Sequence, residues 1–289
     1  MSLVVLITGA STGIGHAAAL SLARRGHSVI ATLRDPARGE ALLRHAERER
    51  LRLTLAPLDV TDDASVASAI AAALRSHGRI DALVANAGFH QGAAFEETPL
   101  AVFRALYETN TLGVVRCAQT LLPHLRARGA GAIVAVTSQS GRFVHATNAA
   151  YCASKFAAEA ALEALALEVA PFGVRVAIVE PGLTFTAAQQ KAVPWPRGTA
   201  YQGLYERMGA VFARDAEVGS SAESVGEVVA DAVEGSESKL RWPAGRDAAR
   251  NLAGRARLSD AAWVALHAEP DAARFYAHWR EVTRDPDAA

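Results

Sequence analysis

The chain has 289 residues, 51% of them hydrophobic, and its 30 basic side chains are balanced by 30 acidic ones. That length is ample for a buried core, and the zero formal charge argues against a nucleic-acid binder or a protein held on anionic membranes, since both work through basic excess. No apolar run approaches the ~18–20 residues of a membrane span, and two cysteines, Cys117 and Cys152, are too few for a disulfide framework or a Cys-based metal site.

The first seven residues show no basic n-region and run into a glycine-rich turn, so they do not read as a signal peptide, and a reducing cytosol is expected. Up to about residue 180, short β-branched runs alternate with Ala/Leu-rich stretches. Strands are predicted at 3–8, 28–33, 53–58, 82–85, 132–137 and 174–180. Helices are predicted at 14–25, 38–49, 63–76, 99–127 and 150–170. Continuous apolar strands separated by helices predict a parallel sheet covered on both faces. From 183 to 220 the regularity fails: Pro194, Pro196 and Gly198 interrupt a stretch carrying Trp195, Tyr201, Tyr205, Met208 and Phe212. A helix at 222–234, a strand at 239–242 and two or three short helices over 246–281 follow, with 284–289 expected to fray. No linker or repeat marks a second domain.

Strand 3–8 opens into Thr8-Gly9-Ala10-Ser11-Thr12-Gly13-Ile14-Gly15. Glycines allow backbone approaches that a Cβ would block, and the helix N-terminus behind them offers free N–H groups to a pyrophosphate. Between a predicted strand and a predicted helix, the turn reads as a nucleotide cradle rather than an ordinary tight turn. The second strand ends in Leu33 and Arg34, where a site that prefers NAD usually has a carboxylate for the ribose 2′-hydroxyl. A guanidinium there grips a 2′-phosphate instead, and the Ser11 hydroxyl is placed to join it. Asp35 follows and complicates this reading, although it also suits the cap of the next helix, with Pro36 at its first position. NADP(H) is therefore the preferred cofactor and NAD(H) the other admissible one.

Tyr151 and Lys155 are four apart in an Ala-rich helical pattern, so they share a face. A free phenol is a poor base near neutrality, but an ammonium one turn away, with a nicotinamidium charge, would draw its pKa down toward the working range. Upstream, strand 132–137 opens into Thr137-Ser138-Gln139-Ser140-Gly141, where a hydroxyl beyond the strand's carboxyl end is placed to donate to a developing alkoxide.

Taken together these motifs resemble the short-chain dehydrogenase/reductase family, in its Thr-Gly-x-x-x-Gly-x-Gly branch. The matches run in order: the turn at 8–15, Asp59-Val60, Asn86-Ala87-Gly88, Asn110, Ser138, Tyr151-x-x-x-Lys155 and Pro181-Gly182. The resemblance implies a seven-stranded sheet with the cofactor along the strands' carboxyl edge. It implies that Asp59 and Val60 hold the adenine and that Asn86, Ala87, Gly88, Pro181 and Gly182 lie by the cofactor, with Thr186 near the carboxamide. Asn110 would steady a water relaying protons to Lys155. Ser138 would orient the carbonyl, Tyr151 would act as acid/base, and Lys155 would hold the ribose. The segments at 5–9, 31–35, 151–156 and 171–174 are similar to 17β-hydroxysteroid dehydrogenase type 1 and its bacterial relatives, in which the Arg matching Arg34 is implicated in NADP preference. The likeness fades beyond residue 190, so steroid chemistry does not follow.

The expectation is one α/β NAD(P)-binding domain over 1–289: a Rossmann-type doubly wound parallel sheet of about seven strands flanked by helices, with a helical substrate lid at 183–220 (the alternative for 195–212 being a plain helical hairpin packed on the core) and C-terminal helices over 246–289. The expected reaction interconverts a secondary alcohol and a ketone on an apolar small molecule, in the cytoplasm, in a homo-oligomer (dimer or tetramer) built on helices 99–127 and 150–170. Phe89, Phe143, Phe185, Trp195 and Tyr205 motivate the apolar pocket. Cys152 reads as a buried small residue, and His90 and His145 as surface or packing residues of loops bordering the pocket. Nine scattered histidines suggest no metal, and no nucleic acid or membrane is expected as partner. A non-catalytic NADP-binding sensor or scaffold is the alternative from another class, although such a protein would be expected to lose Tyr151, Lys155 or Ser138. A sugar-nucleotide epimerase would share the Tyr/Lys pair but usually has another glycine spacing and a longer substrate domain.

Overall fold

The computed structural model describes residues 2–186, 194–216, 219–235 and 239–283. Strand β1 (Val4–Thr8) is buried along its whole length, as a β-branched run covered on both faces must be. Helix α1 (Gly13–Arg24), strand β2 (Ser28–Leu33), helix α2 (Glu40–Arg48), strand β3 (Leu53–Pro57) and helix α3 (Asp63–His77) follow. The Asp62 side chain caps α3, and Gly78 stops it at φ 73°. Then come β4 (Ala82–Ala85), α4 (Leu100–Leu106), a π-helical turn (Tyr107–Leu112), α5 (Gly113–Arg128), β5 (Gly131–Val136), α6 (Ala149–Val169) and β6 (Val174–Pro181). The two-residue strands β7 (Thr184–Phe185) and β8 (Ser220–Ser221) pair with each other on either side of α7 (Gln202–Ala216). The chain continues through α8 (Ala222–Glu234), β9 (Arg241–Ala244), α9 (Arg246–Ala256), α10 (Asp260–Ala268) and α11 (Ala272–Val282).

The main sheet has seven parallel strands in the order β3-β2-β1-β4-β5-β6-β9. The order reverses between β1 and β4, and a crevice for a ligand opens at such a switch, outside the strands' carboxyl ends. One face buries Val5, Ile7, Val84 and Val134 beneath α1 and α8. The other buries Leu6, Leu83, Ile133 and Ile178 beneath α3, α5 and α6. A third cluster joins Phe143 to Met208 and Val211 of α7, Leu266 of α10, and Phe275 and Trp279 of α11.

Three expectations need correction. Helix 99–127 is interrupted: the π turn adds a residue to the coil, and Asn110 and Thr111 hold it open by bonding to Phe89 and Ser154. The last strand lies two residues later than expected, pairing Ile178 with Arg241 and Pro181 with Ala244. Its Pro243 is tolerated because β9 is an edge strand. Segment 183–220 contains both a short ribbon and a 15-residue helix, whereas 187–193 and 217–218 of the expected lid, and the tail expected to fray, lie outside the described residues. The C-terminal stretch resolves into three helices; Ser259 and Asp271 cap the second and third.

Candidate active site

The turn after β1 is built by two close approaches. Gly9 has φ 70°, and a Cβ there would stand 2.7 Å from Ala87 Cα; a Cβ on Gly15 would stand 2.4 Å from Asn86 Nδ2. Asn86 Nδ2 donates to Thr8 O at 3.0 Å and Gly9 O at 3.1 Å, and Thr8 Oγ1 accepts from the N–H groups of Asn86 and Ala87, both at 3.0 Å. The β4 end and the glycine turn are therefore one unit. Thr12 opens α1 without a side-chain cap, and no acidic residue stands in the helix's first turn. Its free N–H groups and partial positive charge suit an anion. Thr186 lies over this turn, with its Cγ2 3.1 Å from where a Gly13 Cβ would be. The cradle fits a dinucleotide's pyrophosphate.

From this cradle one cavity of about 1050 Å³ runs along the sheet edge. It brings together Gly9, Ser11, Thr12, Gly13, Ile14, Arg34, Asp59, Val60, Asn86, Ala87, Gly88, Ser138, Tyr151, Lys155, Pro181, Gly182 and Thr186. Gly15 and Asn110 do not line it; they stand behind Asn86 and behind Gly88–Phe89. At the β2 end Arg34 and Asp35 are both exposed and both line the cavity, and Asp35 also accepts from Ala37 N at 3.1 Å. The same small turn adds Arg38 to the wall, a second guanidinium that sequence reasoning passed over; its place two residues after Pro36 was the available signal. Asp59 Oδ1 accepts from Thr61 N at 2.9 Å and Thr61 Oγ1 at 2.8 Å. The Thr61 N–H, above all, and the nearby Arg34 charge hold this carboxyl below its usual range.

At the β5 end the Ser138 hydroxyl accepts from Ser140 N at 3.1 Å and makes a long bond, 3.4 Å, to Pro181 O. Tyr151 and Lys155 rise together from α6. Lys155 is buried, its Nζ donating to Val136 O at 3.1 Å and standing 5.9 Å from the Tyr151 ring centre. Desolvation brings the Lys155 ammonium down to about 8, against an upward push from Glu159. Desolvation also pushes the Tyr151 phenol up to about 12, although a bond to Ser138 pulls the other way. The protein's own groups alone thus raise the phenol, because burial outweighs the Ser138 contribution.

Asn110 reaches this centre indirectly. Its Oδ1 accepts from Phe89 N at 3.0 Å, and its Nδ2 donates to Phe89 O at 3.0 Å and Ser154 Oγ at 3.1 Å. A Cβ on Gly88 would lie 3.0 Å from Asn110 Oδ1 and 3.6 Å from Lys155 Nζ. Of the five aromatics expected around a substrate, Phe89 and Trp195 line the cavity. Phe143 is buried in the third cluster, Tyr205 stacks on Trp195, and Phe185 packs near Gly219. Phe212 completes the apolar wall. His145 packs, buried, between Phe143 and Phe212 while touching the cavity, and Cys152 is buried. His90 packs against Tyr151, with ring centres 4.8 Å apart in a T-shaped arrangement, and bonds to Asn148 Oδ1 at 2.8 Å.

Residues 3–197 match the short chain dehydrogenase family. The chain belongs to that family. It is an oxidoreductase by this membership, and the family works with nicotinamide cofactors. It is 32% identical to the uncharacterized oxidoreductase YusZ of Bacillus subtilis, over 91% of this chain and 96% of that one. It is 38% identical to 17-beta-hydroxysteroid dehydrogenase type 1 of Mus musculus over 68% of this chain, but spans only 58% of that protein's length. A short-chain dehydrogenase structure from Streptomyces avermitilis superposes with a TM-score of 0.80 at 33% identity, covering 98% of both chains.

Proposed function

We propose that this chain is an NADP(H)-dependent oxidoreductase interconverting a secondary alcohol and a ketone on an apolar small molecule, with Tyr151 as the acid/base. The observation that carries this reading is the meeting of Ser138, Tyr151 and Lys155 in the same cavity as the glycine cradle. Gly9, Gly13 and the α1 N-terminus would hold a pyrophosphate, with Asp59 and Val60 beside an adenine and Thr186 beside a carboxamide. Bound there, the nicotinamide would supply or take up the hydride.

The chain's own groups would manage the proton. Ser138, whose long bond to Pro181 O is readily exchanged, donates to the substrate oxygen. Tyr151 gives its phenolic proton to the developing alkoxide during ketone reduction and takes one back during alcohol oxidation. A phenol pushed upward is protonated near neutrality, which favours its role as donor. Lys155 places positive charge beside the phenolate formed. Asn110, by clamping both backbone polar atoms of Phe89, holds the wall next to Lys155. Phe89, Trp195 and Phe212 give the far side an apolar surface, and α7 serves as the lid. Tyr201 ties this helix to Glu96 at 2.6 Å, and Tyr205 ties it to Glu97 and Ala94. The same reading makes the chain a single domain that assembles with its own copies.

Preference for the 2′-phosphate is argued from the two guanidinium groups, Arg34 and Arg38, that line the β2 end together with one carboxylate, Asp35, which also bonds to its own turn. Fluorescence titrations with NADPH and NADH side by side test it. NADPH should bind more tightly, and Arg34→Ala should weaken NADPH alone, by roughly 10- to 100-fold for a charge-assisted contact. Equal weakening of both, or tighter NADH binding by the unaltered chain, would overturn the preference.

A further inference from the structure

Behind Tyr151 and Lys155 lies a group of buried charges that the acid/base reading leaves unused. Glu159 stands one turn beyond Lys155 and two beyond Tyr151, so the three share a face of α6. It is 3% exposed, and Glu180 of β6 is 1% exposed. Burial pushes both carboxyls upward, and at this depth they keep their charge only with partners. Thr137 Oγ1 donates to Glu159 Oε1 at 2.6 Å, and Arg241 Nε donates to Glu159 Oε2 at 3.2 Å while lying 3.6 Å from Glu180 Oε1. Arg142 Nη1 donates to Glu180 Oε1 at 3.1 Å.

The placement has an order to it. Successive residues from the end of β5 meet one face of α6: Val136 O accepts from Lys155, the Thr137 hydroxyl donates to Glu159, and Ser138 lines the cavity together with Tyr151. A Cβ on Gly141 would come within 2.8 Å of Glu159 Cγ, so the turn that follows Ser138 rests on this side chain.

We propose that Glu159 is a positioning residue for the Tyr151–Lys155 couple: it pins the Ser138 end of β5 to α6 and keeps a negative charge one turn from the Lys155 ammonium, opposing loss of that charge in a dry site. The inference rests on the acid/base reading above. The charged and titratable groups facing this centre are Tyr151, Lys155 and Glu163 on α6, Glu180 on β6, Arg142 after the 139–141 turn, Arg241 on β9, and His90 at the Tyr151 ring. Glu108 of the π turn is occupied by Arg116 at 2.7 Å. Burial lowers Lys155, and Glu159 is the charge that raises it again.

The sequence makes a direct test practical, because Lys155, Lys191 and Lys239 are the chain's three lysines. Lysine labelled with ¹³C at Cε gives three NMR signals, assigned with Lys239→Arg and Lys155→Arg variants. The Lys155 signal should titrate near 8 in the unaltered protein. In Glu159→Gln its midpoint should fall by about one pH unit, a tenfold change in the protonation equilibrium. A midpoint that stays in place would overturn the proposal, since a merely structural Glu159 leaves it unmoved. Where the Gln variant does not fold, Glu159→Asp keeps the charge but withdraws it from Thr137. Its midpoint should fall by a few tenths, and an unmoved one counts equally against the idea. The readout needs no substrate, so failure of ketone turnover would sink the Tyr151 reading without touching this result.

Discussion

Lys155 is held between burial, which drives off its proton, and Glu159, which retains it. Its ammonium is lowered to about 8, so it is charged below that pH and neutral above. If the charge assists Tyr151, kcat/KM for ketone reduction should be level from pH 6 to 7 and fall as pH rises through about 8. A profile that stays level to pH 9.5 would separate Lys155's charge from catalysis. The Tyr151/Lys155 spacing and Ser138 are legible in the sequence because they follow from helical period and the end of a strand. The direction of the phenol's shift is not, because desolvation depends on what the fold piles over the ring. Arg38 and Glu159 were invisible for a similar reason: each matters through neighbours supplied by distant segments.

At the scale of elements, the strand–glycine turn–helix unit is the part on which cofactor binding hangs. Gly9 couples a left-handed φ of 70° to contact with Ala87 Cα, whereas Gly78 has φ 73° with nothing near its missing Cβ. Gly9→Ala and Gly78→Ala should each cost about 1–2 kcal/mol for the left-handed conformation, with a further loss at Gly9 from the clash. NADPH affinity should drop only in Gly9→Ala, as read by thermal melting and fluorescence titration. An equal drop in both variants would make the effect one of general stability. Six strands and the flanking helices were readable from apolar runs and caps. The break in helix 99–127 was not, because no proline or glycine lies within Tyr107–Leu112 and only the polar grip of Asn110 on Phe89 reveals the wider turn. The last strand runs two residues further than the apolar pattern suggests, through Pro243, which an edge position admits.

For the whole molecule, the third core cluster explains why the end of the chain matters to the site. Met208 and Val211 of α7 share it with Phe275 and Trp279 of α11, so the C-terminal helices seat the wall that carries Trp195 and Phe212. The sequence announced short helices and stray aromatics here, but not their common core, since nothing in periodicity says which distant faces meet. Leu112 of the π turn and Phe156 of α6 remain exposed at 45% and 39%. Exposed apolar groups on neighbouring helices are a basis for self-association. Light scattering after size exclusion should give a dimer or tetramer, and Phe156→Glu should shift it toward monomer; a monomeric unaltered chain would remove that part of the account. The measurement that bears most directly on the whole is the decay of reduced-cofactor absorbance with NADPH and a panel of apolar ketones, run on the unaltered chain and on Tyr151→Phe. Turnover in the first, with a loss of roughly 100-fold or more in the second and NADPH affinity nearly unchanged, is the predicted result. Turnover that survives the loss of the phenol would contradict it.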